Sequence, residues 1–263
     1  MNSWQKEYID KYYRQLPGWT SSPVQWRELL GEHVLHNARV CEIGAGSSNN
    51  ASKYLCSISG HVVGLDIDPE VKQNKWLDEA HVYNGRRFPY PDNHFDAVVS
   101  HYVNEHVENP ETHCKEVSRV LVPNGKYIFR TSNLYHYVSS VARVTPHWFH
   151  VLVAGRLKNH PPSHHDPYPT YYRFNTRRRI RSLLGKSGFI VEVLEMKESY
   201  PSYGRASRIL FYMFMAYERV VNSTALLEGL RGIIDCVARK NASVTLETCY
   251  KPSYSCSTQS WGV

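Results

Sequence analysis

The sequence predicts an α/β protein built on a mostly parallel sheet with helices on both faces. Two observations carry this. From Arg39 to Leu194, short β-branched runs alternate with helix-length segments, the rhythm of βαβ units. A glycine-rich turn, Gly44-Ala-Gly46-Ser, follows the first such run, and an acidic residue, Asp66, ends the second.

Residues 1–37 are aromatic and helical in pattern, broken at Pro17-Gly18 and Pro23, and are expected to form an N-terminal helical lid. Residues 38–133 hold the core. Arg39–Ile43 is the first strand, Asn49–Ser57 a helix ended by Gly60, and His61–Ile67 the second strand. Asp68-Pro69 opens another helix. Ala80–Tyr83 is the third strand, Phe95–Ser100 the fourth, and 110–121 a helix. Pro123-Asn124-Gly125 reads as a turn into the fifth strand, Lys126–Arg130.

After Asn133 the rhythm stops. Residues 134–174 are rich in Pro, His and Tyr, and a stretch of that length is expected to be an inserted lid or acceptor-binding loop. The C-terminal part of the core spans 175–250. It has a helix over Thr176–Ser187, capped by Asn175 or Thr176, and a sixth strand from Phe189. One or two helices follow within 205–238, part of a helical insertion at about 198–240. The seventh strand is expected at Ser243–Tyr250, before a loose tail over 251–263.

The formal charge of +7 permits an anionic partner without requiring one, and no separate nucleic-acid module is visible. The basic run Arg177-Arg178-Arg179 reads as a solvated helix face. The six cysteines form no C-x-x-C pair, so reduced thiols are expected rather than a disulfide framework or zinc site. The N-terminus has no apolar leader pattern and no apolar run spans a bilayer, so a cytoplasmic chain is expected. The apolar run Ile209–Tyr217 suits core or dimer packing (monomer or homodimer) better than a membrane surface.

Glycines in the first βα turn let a ligand approach the backbone, and Asp66 stands where a carboxylate accepts hydrogen bonds from ribose hydroxyls. Position 49 is Asn, so the third glycine of a dinucleotide fingerprint is missing. A nucleoside without a pyrophosphate fits this relaxed pattern.

Five segments in order, Val40–Ser47, Gly64–Asp68, Phe88–Ser100, Glu105-His106-Val107 and Glu116–Gly125, resemble the successive motifs of class I S-adenosylmethionine-dependent methyltransferases. They are most similar to the small-molecule group that includes the ubiquinone and menaquinone C-methyltransferases. The resemblance covers about 35–132, more loosely 170–195. It implies a Rossmann-like seven-stranded sheet and S-adenosyl-L-methionine as cofactor, leaving as S-adenosyl-L-homocysteine. It implies that Glu42, Gly44, Ala45 and Gly46 hold the methionine moiety, Asp66 the ribose and Ile67 the adenine. Asn84-Gly85 falls where the family usually has an Asp contacting the adenine amino group, and Ser100 and His101 border the methionine end.

The acceptor is expected to be a small molecule, methylated at a hydroxyl oxygen. A histidine general base then helps, and His101, His106, His136, His164 and His165 are the candidates. Tyr135, Tyr137, Trp148, Phe149, Tyr168, Tyr171 and Tyr172 are candidates for an aromatic wall. A metal at His160, His164, His165 and Asp166 is not expected, because their spacing matches no metal motif. RNA or protein methylation, and a non-catalytic binding protein keeping the fold, are the alternatives.

Overall fold

The computed structural model describes residues 3–47, 50–144, 168–201 and 207–242. Seven strands form one sheet in the order β3-β2-β1-β4-β5-β7-β6. They are β1 (Arg39–Ile43), β2 (His61–Asp66), β3 (Glu79–Val82), β4 (Phe95–His101), β5 (Leu121–Ser132), β6 (Phe189–Lys197) and β7 (Ile233–Lys240). The first five are parallel neighbours; β7 lies antiparallel between β5 and β6. Strand order reverses between β1 and β4, which opens a crevice beyond their carboxyl ends.

Both faces of the sheet are covered. On one, α2 (Ser22–His33) and α3 (Asn50–Ile58) pack Trp26, Leu29, Leu30 and Leu55 onto Val40, Val62, Val99, Ile128 and Val237. On the other, α4 (Pro110–Val120) and α6 (Arg177–Lys186) bring Cys114, Val117, Ile180 and Leu184 against Ile43, Leu65, Val98 and Phe129. The period of two along each strand sends neighbouring residues to opposite faces. Asn109 caps α4 through the Thr112 N–H at 3.1 Å, with Pro110 opening the helix. Thr176, not Asn175, caps α6 through the Arg179 N–H.

A small third cluster joins the N-terminal helix to the helix that follows β6. Helix α1 (Ser3–Ile9) and the π-turn Asp10–Arg14 place Ile9 and Tyr13 on Phe211 of α7 (Arg208–Asn222), ringed by Trp4, Tyr8, Tyr12 and Trp19. The apolar run at 209–217 is therefore split: Phe211 is buried, whereas Ile209 and Met213 are exposed.

The structure corrects three expectations. The helical reading of 205–238 fails at its end, since Ile233–Lys240 is a strand. Its residues are buried almost without interruption, and a strand enclosed on both faces loses the alternation that separates strand from helix. The seventh strand is this one; Ser243–Tyr250 lies outside the described residues. Pro123-Asn124-Gly125 is a bulge within β5, where the register with β4 shifts between Phe95 and Ala97. There Asn124 takes φ +65°, and a Cβ on Gly125 would stand 2.9 Å from the Val122 carbonyl. Finally, 134–174 is not wholly loop, because α5 spans Tyr137–Val144. Residues 145–167 lie outside the described residues, as do His160, His164, His165, Asp166, Trp148 and Phe149.

Cys41, Cys56, Cys114 and Cys236 are free thiols. Among the described residues no helix is long and apolar enough to cross a membrane, and no group of three or more His, Cys, Asp or Glu could hold a metal ion.

Candidate cofactor and acceptor cleft

The turn after β1 is built by its glycines. Gly44 and Gly46 adopt φ +72° and +59°, a region costly for residues with a Cβ. A Cβ on Gly44 would meet Val103 Cγ2 at 2.4 Å, whereas one on Gly46 would meet nothing within 4 Å. The Gly46 N–H donates to Asp66 Oδ2 at 2.9 Å, and the Asp68 N–H donates to Asp66 Oδ1 at 3.0 Å. Asp66 thus fixes the turn as well as facing the cleft. Asn74 supports the same turn from below, donating to the Ala45 and Gly46 carbonyls.

Two cavities meet at Gly44, His101 and Tyr102. The first, about 1040 Å³, is lined by Asp66, Ile67, Asn84, Gly85 and His106. The second, about 860 Å³, is lined by Trp26, Glu42, Glu105, His136, Tyr137 and Glu198. Each lies at the upper end of the range of small-molecule pockets, about 300–1,000 Å³.

The first cavity suits a nucleoside. Asp66 offers carboxylate oxygens at its edge, and Ile67, 48% exposed, offers an apolar platform. Asn84 Oδ1 already accepts from the Arg86 and Arg87 N–H groups at 3.0 and 3.1 Å. The oxygen expected to receive the adenine amino group therefore caps a turn instead, which leaves the Asn84 amide N–H as the group to offer a base. A strap over 168–173 spans this half. Tyr168 donates to Asp68 Oδ2 at 3.0 Å, and the Tyr171 and Tyr172 N–H groups reach the Glu105 carbonyl. His106 Nδ1 donates to the Pro169 carbonyl at 2.9 Å, so this histidine holds the strap.

Of the pair Ser100 and His101, only His101 reaches the cleft. The two are adjacent on β4 and point to opposite faces. Ser100 lies in the core, 3.3 Å from the Tyr127 hydroxyl, which donates to Asn104 Oδ1 and accepts from His113 Nε2. His101 stacks on Trp26 at 5.1 Å between ring centres. Burial, aided by the Arg130 guanidinium, lowers its pKa to about 4, so at neutral pH it is an uncharged, weakly basic wall.

Behind His101 runs a charged row that sequence reasoning missed. His101, Arg130 and Asp235 are directly paired across β4, β5 and β7. Arg130 binds Asp235 through two nitrogens at 2.6 and 2.7 Å, with both side chains wholly buried. It also donates to the Ser22 carbonyl and hydroxyl at 2.6 and 2.9 Å and stacks on Trp26. The pair thereby pins the start of α2 above the second cavity. No local pattern signals it, because its members stand 105 residues apart.

In the second cavity Glu42 is nearly buried and accepts from the Ser52 hydroxyl at 2.6 Å. Glu105 accepts from the Thr131 and Ser132 hydroxyls, and His136 lies 3.3 Å from Glu198. Of the seven aromatic-wall candidates, Tyr168 and Tyr171 line the first cavity and Tyr137 and Tyr172 the second. Tyr135 is 60% exposed and lines neither.

The residues fit S-adenosylmethionine. The open side of Gly46, the Asp66 carboxylate and the Ile67 platform match a nucleoside, and Glu42 supplies negative charge on the far side of Gly44 for a cationic amine and sulfonium.

Known proteins share part of this sequence and its fold. Residues 41–129 match the family described as methyltransferase domain. An uncharacterized protein of Methanocaldococcus jannaschii is 28% identical over 136 residues, covering 51% of this chain and 49% of that one. The ubiquinone/menaquinone biosynthesis C-methyltransferase UbiE of Pseudomonas fluorescens is 30% identical over 102 residues, covering 34% and 40%. The chain thus spans half or less of the length of these relatives. An S-adenosylmethionine-dependent methyltransferase structure from Mesorhizobium loti superposes with TM-score 0.53 at 14% identity, covering 82% of this chain and 96% of that one; this is a likeness of fold. Residues 41–129 thus match a methyltransferase domain, and the seven-stranded sheet order is that of the Rossmann-like fold these structures share.

Proposed function

We propose that the chain transfers a methyl group from S-adenosylmethionine to a small-molecule acceptor, at a hydroxyl oxygen. The observation that carries this reading is the division of the cleft at Gly44 and His101. One side is a nucleoside seat; the other is a separate cavity lined by Trp26, His136, Tyr137, Tyr172 and Tyr200. When bound, the sulfonium supplies an electrophilic methyl group. This chain's own residues align the acceptor and exclude water, and alignment supplies much of the rate in such displacements. The Arg130–Asp235 pair holds α2 over the acceptor side, and the 168–173 strap covers the nucleoside side.

Calorimetric titration with S-adenosylhomocysteine tests the cofactor half. Wild type is expected to bind in the micromolar range. Asp66→Ala removes a carboxylate with two backbone partners and is expected to weaken binding at least about tenfold, or ~1.4 kcal/mol. Unchanged affinity would overturn the assignment of this pocket. Transfer of a labelled methyl group to a panel of phenols, sugars and lipid precursors, followed by product analysis, identifies the atom methylated. A carbon product would replace the oxygen reading with one nearer to the name of the Pseudomonas relative.

A further inference from the structure

In the second cavity one histidine stands beside a mostly buried carboxylate. His136 follows β5 and opens α5; its ring lies 3.3 Å, Nε2 to Oε2, from Glu198, the residue after β6. The Gly232 N–H, just before β7, donates to the same Glu198 oxygen at 2.7 Å. Both side chains pack on the bare face of that glycine: a Cβ there would stand 3.1 Å from Glu198 Oε2 and 3.2 Å from His136 Cδ2. Asn133 ties the ends together, its side-chain amide donating to the Gly229 and Arg231 carbonyls at 2.7 Å and its N–H to the Gly232 carbonyl at 2.8 Å.

This places the ring in one orientation. Nε2 is wholly buried and makes no aligned hydrogen bond; the Glu198 carboxylate, at 3.3 Å, is the charge beside it, while Cδ2 and Cγ are turned to Gly232. The edge left to the cavity that His136 lines is Nδ1. A carboxylate behind Nε2 favours the proton there and leaves Nδ1 with its lone pair, the nucleophile–base–orienter logic of a catalytic dyad. The other described histidines of the cleft are differently used. His101 is weakly basic beside Arg130, His106 spends Nδ1 on Pro169 in the nucleoside half, and His113 gives Nε2 to the Tyr127 hydroxyl.

We propose, resting on the methyl-transfer reading above, that His136 is the general base of the acceptor half and that Glu198 is its positioning residue. The acceptor hydroxyl gives its proton to His136 Nδ1, and an oxygen lone pair forms the bond to the methyl carbon. The carbon–sulfur bond breaks as it forms, its electrons remaining on sulfur, and the products are the methyl ether, the neutral thioether and an imidazolium beside Glu198. That imidazolium is stabilised by the carboxylate, which lowers the barrier at the moment charge develops.

Two measurements on the full chain test this without knowledge of the acceptor. Nitrogen-15 spectra of histidine-labelled protein, with His136→Gln for assignment, are expected to show neutral His136 carrying its proton on Nε2. A proton on Nδ1 would overturn the proposal. Diethylpyrocarbonate, mapped by mass spectrometry, is expected to acylate cavity-lining His136 ahead of His113, whose Nε2 is bound to Tyr127, several-fold more slowly in Glu198→Gln, and undiminished with S-adenosylhomocysteine bound. A rate indifferent to Glu198→Gln, or protection by the cofactor product alone, would equally sink it. The tautomer stands apart from cofactor binding: a chain that binds no S-adenosylhomocysteine defeats the methyl-transfer reading, whatever the proton position.

Discussion

The two halves of the cleft are made differently. The nucleoside half comes mostly from one stretch, β1 to the start of α4, with the 168–173 strap laid over it, and hydrogen bonds within that stretch such as Gly46 to Asp66 set its shape. The second cavity, proposed above as the acceptor half, is assembled from far-separated pieces: the start of α2, the ends of β5 and β6, and the beginning of β7. What joins them is a buried ion pair and a polar clasp around Gly232. A local site survives much change elsewhere; an assembled one depends on the few contacts that bring its parts together.

The largest expected effect breaks the assembled half. Removing one member of a buried ion pair costs about 3–5 kcal/mol. Asp235→Leu is expected to cost more than Arg130→Met, because Lys197 Nζ, 3.2 Å from Asp235, still accompanies the carboxylate when the guanidinium is gone. Urea unfolding gives the order. Hydrogen exchange in Arg130→Met is expected to loosen residues 22–33 while β1 and β2 stay protected. Equal loosening of both would erase the distinction between the halves.

Acid sharpens the comparison next. His101, on the wall shared by the two cavities, and His113, in the core beneath, are both lowered to about 4 by burial, against an ordinary value near 6.5. The unfolded chain therefore binds these protons more readily, so stability falls as pH drops from about 6.5 to about 4, by up to about 3 kcal/mol for each. Urea midpoints at several pH values measure the slope, and His101→Asn with His113→Phe is expected to flatten it. A slope unaltered by both changes would show that other groups set acid sensitivity.

The smallest effect separates fold from ligand within the local half. Gly44→Ala meets Val103 as well as a strained φ, whereas Gly46→Ala meets only the φ, at about 1–2 kcal/mol. Thermal unfolding is expected to show the greater loss for Gly44→Ala, eased by Val103→Ala. If Gly46→Ala lowers S-adenosylhomocysteine affinity beyond its cost in stability, the ligand occupies the space that Cβ enters.

The parallel strands, the glycine turn and Asp66 were legible because each rests on a pattern a few residues long. Ser100 was misplaced because a strand's period of two makes it face away from its neighbour His101. Asn84 was assigned by position alone, and its oxygen was claimed by two amides of its own turn. β7 was hidden because full burial removes alternation.

By itself, then, the sequence determined the α/β class, the strands up to β6 and the glycine turn with Asp66 opposite it, since local hydrophobic period and backbone conformation dictate these. Only the tertiary structure decided that 233–240 enters the sheet between β5 and β6, that Arg130 meets Asp235, and that His136 rests against Glu198. Those outcomes depend on which distant segments become neighbours. That is settled by the burial of apolar faces across the whole chain and by the need of each buried charge for a partner.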